Sequence, residues 1–302
     1  MKIAVASGKG GTGKTTIALN LALCLADKAR LAHKARLADT LHPVTYVDCD
    51  VEEPNGHIFL KPKIEITETD SVPVPKVDEA ACTACGECSR ICQFSAIVCL
   101  GSAAMTFPEL CKGCGGCFMV CHDGALTEAK RAVGKIEKGS SGPLGFLHGK
   151  LRVGEAMSPP LIRRLKAEIP TIPASTTIPK EGIVILDAPP GTSCPVVETV
   201  RDADFVLLVT EPTPFGLNDL ELAVAMVRLL RVPFAVGVNR AGSGDDRVER
   251  YCRKEDIPIL FELDDDRRIS TAYSRGELLI SALPEYRGLF DRLGSRILEM
   301  VS

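Results

Sequence analysis

Residues Ser7-Gly8-Lys9-Gly10-Gly11-Thr12-Gly13-Lys14-Thr15-Thr16 constrain this chain more than any other stretch. An apolar run at 3–6 precedes them, and an Ala/Leu-rich segment follows from Ile17. Strand, glycine loop and helix in that order form the setting of a phosphate-binding loop. Glycines let successive backbone N–H groups turn inward as an anion-holding nest, and the helix N-terminus adds positive field. Lys14 can then reach β- and γ-phosphates, and the Thr15 hydroxyl can ligate Mg²⁺. A plain loop of this kind needs Gly8, Gly13, Lys14 and Thr15, so Lys9 is an additional cation.

Further along, apolar runs at 44–47, 183–186, 205–209, 234–238 and 257–263 read as strands. The run at 183–186 is continuous, as in a parallel strand covered on both faces. The segment after the glycine loop reads as a helix over about 14–41, with Ile17, Leu21 and Leu25 as its buried stripe. It contains a local duplication over 28–39, for which the sequence offers no function. Two strands end in acids. The run at 44–47 leads into Asp48-Cys49-Asp50, and the run at 183–186 into Asp187-Ala188-Pro189-Pro190-Gly191. Ligands of open α/β sheets bind at the carboxyl ends of strands. One acid of the first pair can hold Mg²⁺ through water while the other orients the attacking water. Asp187 is placed to support Mg²⁺ as well.

Between these motifs the composition changes. Cys82, Cys85, Cys88 and Cys92 form a CxxCxxCxxxC run, and Cys111, Cys114, Cys117 and Cys121 repeat it at a 29-residue offset. A zinc ribbon would instead use pairs of cysteine pairs. The chain has 302 residues, 13 cysteines, no tryptophan and a formal charge of −3. That charge gives no basic surface for nucleic acid or lipid, and the scarcity of aromatics argues against base stacking. Metal-type cysteine spacing points to a reducing cytoplasm. No stretch approaches the ~18 apolar residues of a membrane span. The first strand begins almost at once, so a signal peptide is not expected.

The form G-K-G-G-T-G-K-T over 8–15 resembles the deviant Walker A loop of the MinD–ParA–Mrp ATPases and of the nitrogenase iron protein. The resemblance covers about 1–75 and 150–302. It implies an α/β fold, a mostly parallel P-loop sheet flanked by helices. It also implies ATP and Mg²⁺ as ligands, with Gly8, Lys9, Gly10, Gly11, Thr12, Gly13, Lys14, Thr15 and Thr16 around the phosphates. Thr15, Asp48 and Asp187 serve Mg²⁺, and Lys9, Lys14 and Asp50 serve catalysis, with Asp50 activating water. Lys9 reaches across an ATP-dependent homodimer, or a heterodimer with a related ATPase. Gly191 senses the γ-phosphate, Asn239 contacts the adenine edge, and Glu211 and Pro212 line the base pocket. Chains of this kind often carry the label cobyrinic acid a,c-diamide synthase, but no residues remain here for a glutaminase domain. MinD proteins end in a membrane-targeting helix. The segment 285–302, with Leu289, Leu293, Ile297 and Met300 on one side, lacks a basic face and is expected to pack as a closing helix.

The cysteine repeat resembles a bacterial two-cluster ferredoxin, a small α+β module inserted over about 76–132. The expected organisation is thus 1–75 and 133–302 as the ATPase domain, with 76–132 as the insert. In such ferredoxins each repeat gives three thiolates to one 4Fe–4S cluster and its fourth to the other. The resemblance pairs Cys82, Cys85, Cys88 and Cys121 on one cluster, and Cys92, Cys111, Cys114 and Cys117 on the second. Gln93 and His122 replace the proline usual after each fourth cysteine. The Gly/Ser/Lys-rich stretch 134–145 reads as a flexible return, 57–78 as an edge strand or connector, 151–155 as a strand, and 161–168 as a helix. Cys194 follows Asp187 at an offset similar to that of a bridging-cluster cysteine in the nitrogenase iron protein, without a second matching cysteine. Three functions follow from these resemblances. They are ATP-gated electron transfer through two clusters to a redox protein, an Mrp-type iron–sulfur carrier or scaffold, and a MinD-like spatial organiser with redox-sensing clusters.

Overall fold

A computed structural model describes residues 1–34, 44–169 and 182–301. The chain divides into two compact units. The larger comprises Met1–Thr67, Ile136–Lys150 and Met157–Ser302, and the smaller Glu68–Lys135 and Leu151–Ala156. The smaller unit therefore starts ahead of the border expected at 75/76 and takes back a short later piece. That piece is tied to it locally: Glu155 pairs with Arg131, and Arg152 with Glu109.

In chain order the strands are β1 (Lys2–Ala6), β2 (Val44–Asp48), β3 (Lys63–Val77), β4 (Ile97–Leu100), β5 (Ala103–Thr106), β6 (Leu126–Ser141), β7 (Leu144–Leu151), β8 (Ile183–Asp187), β9 (Phe205–Thr210), β10 (Phe234–Ala241) and β11 (Ile259–Asp264). Among the described residues nine form one sheet in the order β11-β10-β9-β1-β8-β2-β7-β6-β3. The pairs β1/β8, β1/β9, β9/β10, β10/β11, β2/β8 and β2/β7 are parallel. Every residue of β2, β8 and β9 is buried, as the continuous apolar runs require of strands covered on both faces.

Helix α1 (Lys14–Lys34) begins at the loop lysine and buries Ile17, Leu21 and Leu25. The expected extension of this helix to 41 and the second half of the 28–39 duplication lie outside the described residues. The short α2 (Gly56–Leu60) follows the Asp48–Asp50 loop. In the smaller unit α3 (Glu87–Ile91) and α4 (Gly116–Met119) occupy equivalent places in the two cysteine repeats. Each starts after a glycine with positive φ, Gly86 at 80° and Gly115 at 76°, a conformation costly for any residue with a Cβ. Then come α5 (Pro159–Ala167), α6 (Cys194–Val200), α7 (Pro214–Leu230), α8 (Arg247–Lys254), α9 (Arg267–Ser274), α10 (Leu279–Ala282) and α11 (Arg287–Val301). Helix α11 is a packed closing helix: Phe290, Leu293 and Ile297 share one core with Leu21 and Leu25 of α1. Met300, expected on the buried side, is exposed, and Phe290 takes the inner position.

The stretch 134–145 is not a flexible return. It completes β6, turns at 142–143 and enters β7. Composition misleads here because the inward positions are held by pairing as well as by apolar area. Ile136 is buried, Lys138 is buried against Glu168, and the Ser141 hydroxyl donates to the Leu60 carbonyl. Residues 152–155 are likewise a turn beyond β7 rather than a strand. Strand β3 is an edge strand, which explains how it accommodates Pro73 and Pro75.

Candidate functional site

In the larger unit, six parallel strands end on one side of the sheet, and their following residues enclose a cavity of about 780 Å³. Gly10, Gly11, Gly13, Lys14, Thr15 and Thr16 line it after β1, and Asp50, Glu53 and Asn55 after β2. Pro190 enters after β8, Glu211 and Thr213 after β9, Asn239, Arg240 and Ser243 from β10, and Asp264, Asp265 and Asp266 after β11. This size suits a nucleotide, since small-molecule pockets run ~300–1,000 Å³. Gly8, Lys9, Thr12, Gly191 and Pro212 adjoin the site without forming its wall.

The loop is fastened from two directions. The Gly191 N–H donates to the Ser7 carbonyl at 3.0 Å, joining the Pro-Pro-Gly turn to the start of the loop. The Asn239 amide donates to the Thr12 carbonyl at 2.8 Å. Gly13 has φ +85°, and a Cβ there would lie 2.4 Å from that amide nitrogen, so only glycine fits. Asn239 thus holds the loop, whatever else it contacts.

The acids divide into different environments. Asp48 and Asp187 are register partners on adjacent strands and both are buried. Asp48 accepts from the backbone N–H groups of Asp50, Asn55 and Gly56, at 3.1, 3.1 and 2.9 Å. Its two oxygens therefore order the loop that carries Asp50. Asp187 Oδ2 accepts from the Tyr46 hydroxyl at 2.8 Å, while Oδ1 is buried without a hydrogen-bond partner among the described residues. An unpaired buried carboxylate oxygen is costly, and a cation beside it would remove that cost. The residues present therefore fit a Mg²⁺ held between Thr15 and Asp187. Burial pushes Asp187 above the usual carboxylate range, against the charge of Lys14 and the hydroxyls of Thr15 and Tyr46. Burial, and then Asp187, raise Asp48 well above that range. Asp50 is raised by burial and opposed by Lys14.

Lys9 turns back onto its own chain. Its ammonium lies 3.2 Å from Glu211, which also receives Arg240 at 2.8 Å. The Glu211 carboxylate is only 7% exposed, so this ion pair is shielded. Sequence reasoning missed Tyr46, Arg240 and the acidic wall Asp264–Asp265–Asp266. The last was open to discovery, because those residues follow an apolar strand at its carboxyl end.

The smaller unit holds two further cavities. The first, about 20 Å³, is lined by Cys82, Cys85, Cys88, Cys99 and Cys121 with Ala104, Ala125 and Leu126 among its walls. The second, about 60 Å³, is lined by Cys92, Cys111, Cys114 and Cys117 with Pro73, Phe94 and Phe118. Each repeat's fourth cysteine is thus grouped with the other repeat's first three. Burial raises Cys92, but the N–H groups of Phe94, Ala96, Ile97 and Ser95 outweigh it and hold the thiol below its usual value. The Ala96 N–H lies 3.3 Å from that sulfur, and the Gly113 N–H lies 3.4 Å from Cys111 Sγ. Among the described residues no three His, Cys, Asp or Glu side chains form a group that could hold a metal ion. A cubane cluster spreads its four thiolates more widely than a single ion does, and four thiols on apolar walls with N–H donors are the donor set it takes. Cys194 is exposed at the start of α6 and lines neither cysteine cavity.

Residues 3–280 match the family described as the CobQ/CobB/MinD/ParA nucleotide binding domain. The chain belongs to that family. Among curated relatives, the uncharacterized protein MJ0579 of Methanocaldococcus jannaschii is 30% identical over 279 residues, covering 92% of this chain and 90% of the relative. MJ0578 of the same organism is 32% identical over 243 residues, covering 80% and 79%. Among solved structures, the septum site-determining protein MinD of Pyrococcus horikoshii, complexed with Mg-ADP, aligns with TM-score 0.56 at 17% identity over 100% of this chain and 97% of that one. The cell division ATPase MinD of Pyrococcus furiosus gives TM-score 0.57 at 18% identity, over 99% and 98%. These likenesses establish a MinD/ParA-type fold for this family member. Among the described residues no helix is long and apolar enough to cross a membrane.

Proposed function

We propose that this MinD/ParA-type chain binds Mg·ATP in the 780 Å³ cavity, hydrolyses it slowly, and thereby gates electron transfer through two 4Fe–4S clusters to a protein partner. The observation that carries the redox half is the sorting of eight repeat cysteines into two cavities with their fourth members exchanged. Bound clusters would supply reversible one-electron storage. Cys82, Cys85, Cys88 and Cys121 would hold the first, and Cys92, Cys111, Cys114 and Cys117 the second.

The nucleotide half rests on the loop and its acids. Lys14 offsets charge on the β- and γ-phosphates, while Thr15 and Asp187 hold Mg²⁺, with Asp48 fixing the neighbouring loop. Asp50 lines the cavity and orients the attacking water. Asn239, Glu211 and Thr213 border the side of the cavity assigned to the base. Lys9, once released from Glu211, reaches the nucleotide of a second subunit, either a copy of this chain or a related ATPase.

Gating requires reciprocity: if ATP shifts the cluster potentials, reduction must shift ATP affinity by the same free energy. The test is anaerobic full-length protein, with iron and sulfide counted and ATP affinity measured before and after reduction. About eight irons per chain and a redox-dependent affinity are expected. Zinc without sulfide would reject the clusters. Equal affinities in both redox states, with potentials unmoved by ATP, would reject the gating.

A further inference from the structure

The first cysteine cavity contains a fifth thiol. Cys99 lies on β4 two residues beyond Ile97, so both side chains leave the same face of the strand. Ile97 packs in one buried cluster with Cys88 and Ala104, and Ala104 is the partner of Cys99 across the β4–β5 hairpin. Cys99 is therefore directed toward Cys88, and it lines the same cavity as Cys82, Cys85, Cys88 and Cys121. The Cys99 thiol donates to the Ala84 carbonyl at 3.3 Å.

The second cavity has no equivalent. The 29-residue offset that superimposes the cysteine runs sets exposed Glu128 against Cys99. Its cavity is lined by four cysteines, and the first by five.

We propose that Cys99 is a reserve ligand of the first cavity, able to replace Cys88 in holding a 4Fe–4S cluster. The inference rests on the reading that the small unit holds such clusters. The exchange substitutes one thiolate for another. Cys99 leaves the Ala84 carbonyl and gives its proton to water, the displaced Cys88 thiolate takes up a proton, and no electron moves. Its use lies in cluster retention, because a first-cavity ligand lost to oxidation is replaced from within the cavity.

The test compares anaerobic full-length wild type with Cys88→Ala, Cys99→Ala and the double variant, by iron and sulfide counts and by electron paramagnetic resonance after reduction. Wild type and Cys99→Ala should each carry about eight irons, with the same spectrum. Cys88→Ala should keep about eight with an altered first-cluster signal, and the double variant should fall to about four. The second cluster's signal reports in each case that the unit is folded. Three outcomes overturn the proposal: a Cys88→Ala protein with about seven irons or fewer, one that loses both signals, or a Cys99→Ala protein that loses iron by itself. Wild type without iron would instead overturn the cluster reading.

Discussion

The two units solve the problem of a stable interior differently. The larger one buries strands β1, β2, β8 and β9 between helices, and its core is assembled from Ile, Val, Leu and Phe. Its candidate site lies at the carboxyl ends of the parallel strands, in a wide cavity where acids and cations oppose each other. The smaller unit has two modest clusters, one around Ile97 and Ala104 and one around Val74 and Ala96, and cysteines make up much of both. A unit of that size rarely gains more than about 3–5 kcal/mol from its core alone. The same thiols that would carry its chemistry therefore also form its interior. In the larger unit the site can be altered without touching the core, and in the smaller one it cannot.

The sharpest way to break that contrast is Lys14→Ala. It should weaken ATP binding by about 100-fold or more, because no other cation of the loop reaches both terminal phosphates. Iron content should not change. Titration calorimetry with ATP and an iron assay on the same sample would decide it, and loss of iron would show that the two units are not independently built. Asp50→Ala should keep ATP affinity within about twofold while hydrolysis drops about 100-fold, since the phosphate cradle remains and only the water-orienting carboxylate is lost. Hydrolysis at the wild-type rate would move that role to another residue.

Cys92→Ala carries the comparison into the small unit. Its iron should drop from about eight to about four, with the missing signal belonging to the set containing Cys111, Cys114 and Cys117. Increased proteolysis within 68–135 should accompany the loss, as a half-buried residue packed against both small clusters is removed along with the ligand. Undiminished protease resistance would separate cluster from core and contradict the contrast drawn above. Glu211→Gln should act more gently, raising ATP affinity a few-fold by freeing Lys9 and Arg240 from a shielded carboxylate. Weaker binding would mean that Glu211 contacts the nucleotide directly.

The smallest effect concerns His148, on β7. Burial holds its imidazole below 6.5, with His57 and Lys150 acting in the same direction and Glu137, 2.6 Å away, opposing. The folded state thus prefers the neutral ring. Its stabilising contribution is present above pH 6.5 and is lost as the pH falls through 6.5 toward the lowered folded value. His148→Gln should flatten the decline of the melting temperature between pH 7 and pH 5. An unchanged slope would mean that another group governs acid sensitivity.

Much of the nucleotide site could be read in one dimension, because a phosphate loop is a local device. Its glycines, Lys14 and Thr15 are neighbours in sequence, and the acids follow apolar runs that announce parallel strands. The grouping of the cysteines was an expectation from the resemblance of their repeat to a two-cluster ferredoxin. Other features depended on residues far apart. Tyr46 meets Asp187 across 141 positions, and Asn239 meets Thr12 across 227. The stretch 134–145 had the composition of a linker, and only burial of Ile136 and the pairing of Lys138 with Glu168 make it strand.

By itself, then, the sequence determined which chemical groups were available and which short elements would carry them, because propensity, turn geometry and motif spacing act over a few residues. Tertiary structure decided what each group faces. It turned both oxygens of Asp48 toward its own loop, left Asp187 Oδ1 without a hydrogen-bond partner among the described residues, returned Lys9 to Glu211 and set Cys99 among the cysteines of the repeats. Those outcomes depend on burial and on contacts between distant strands, and neither is encoded in any local stretch of chain.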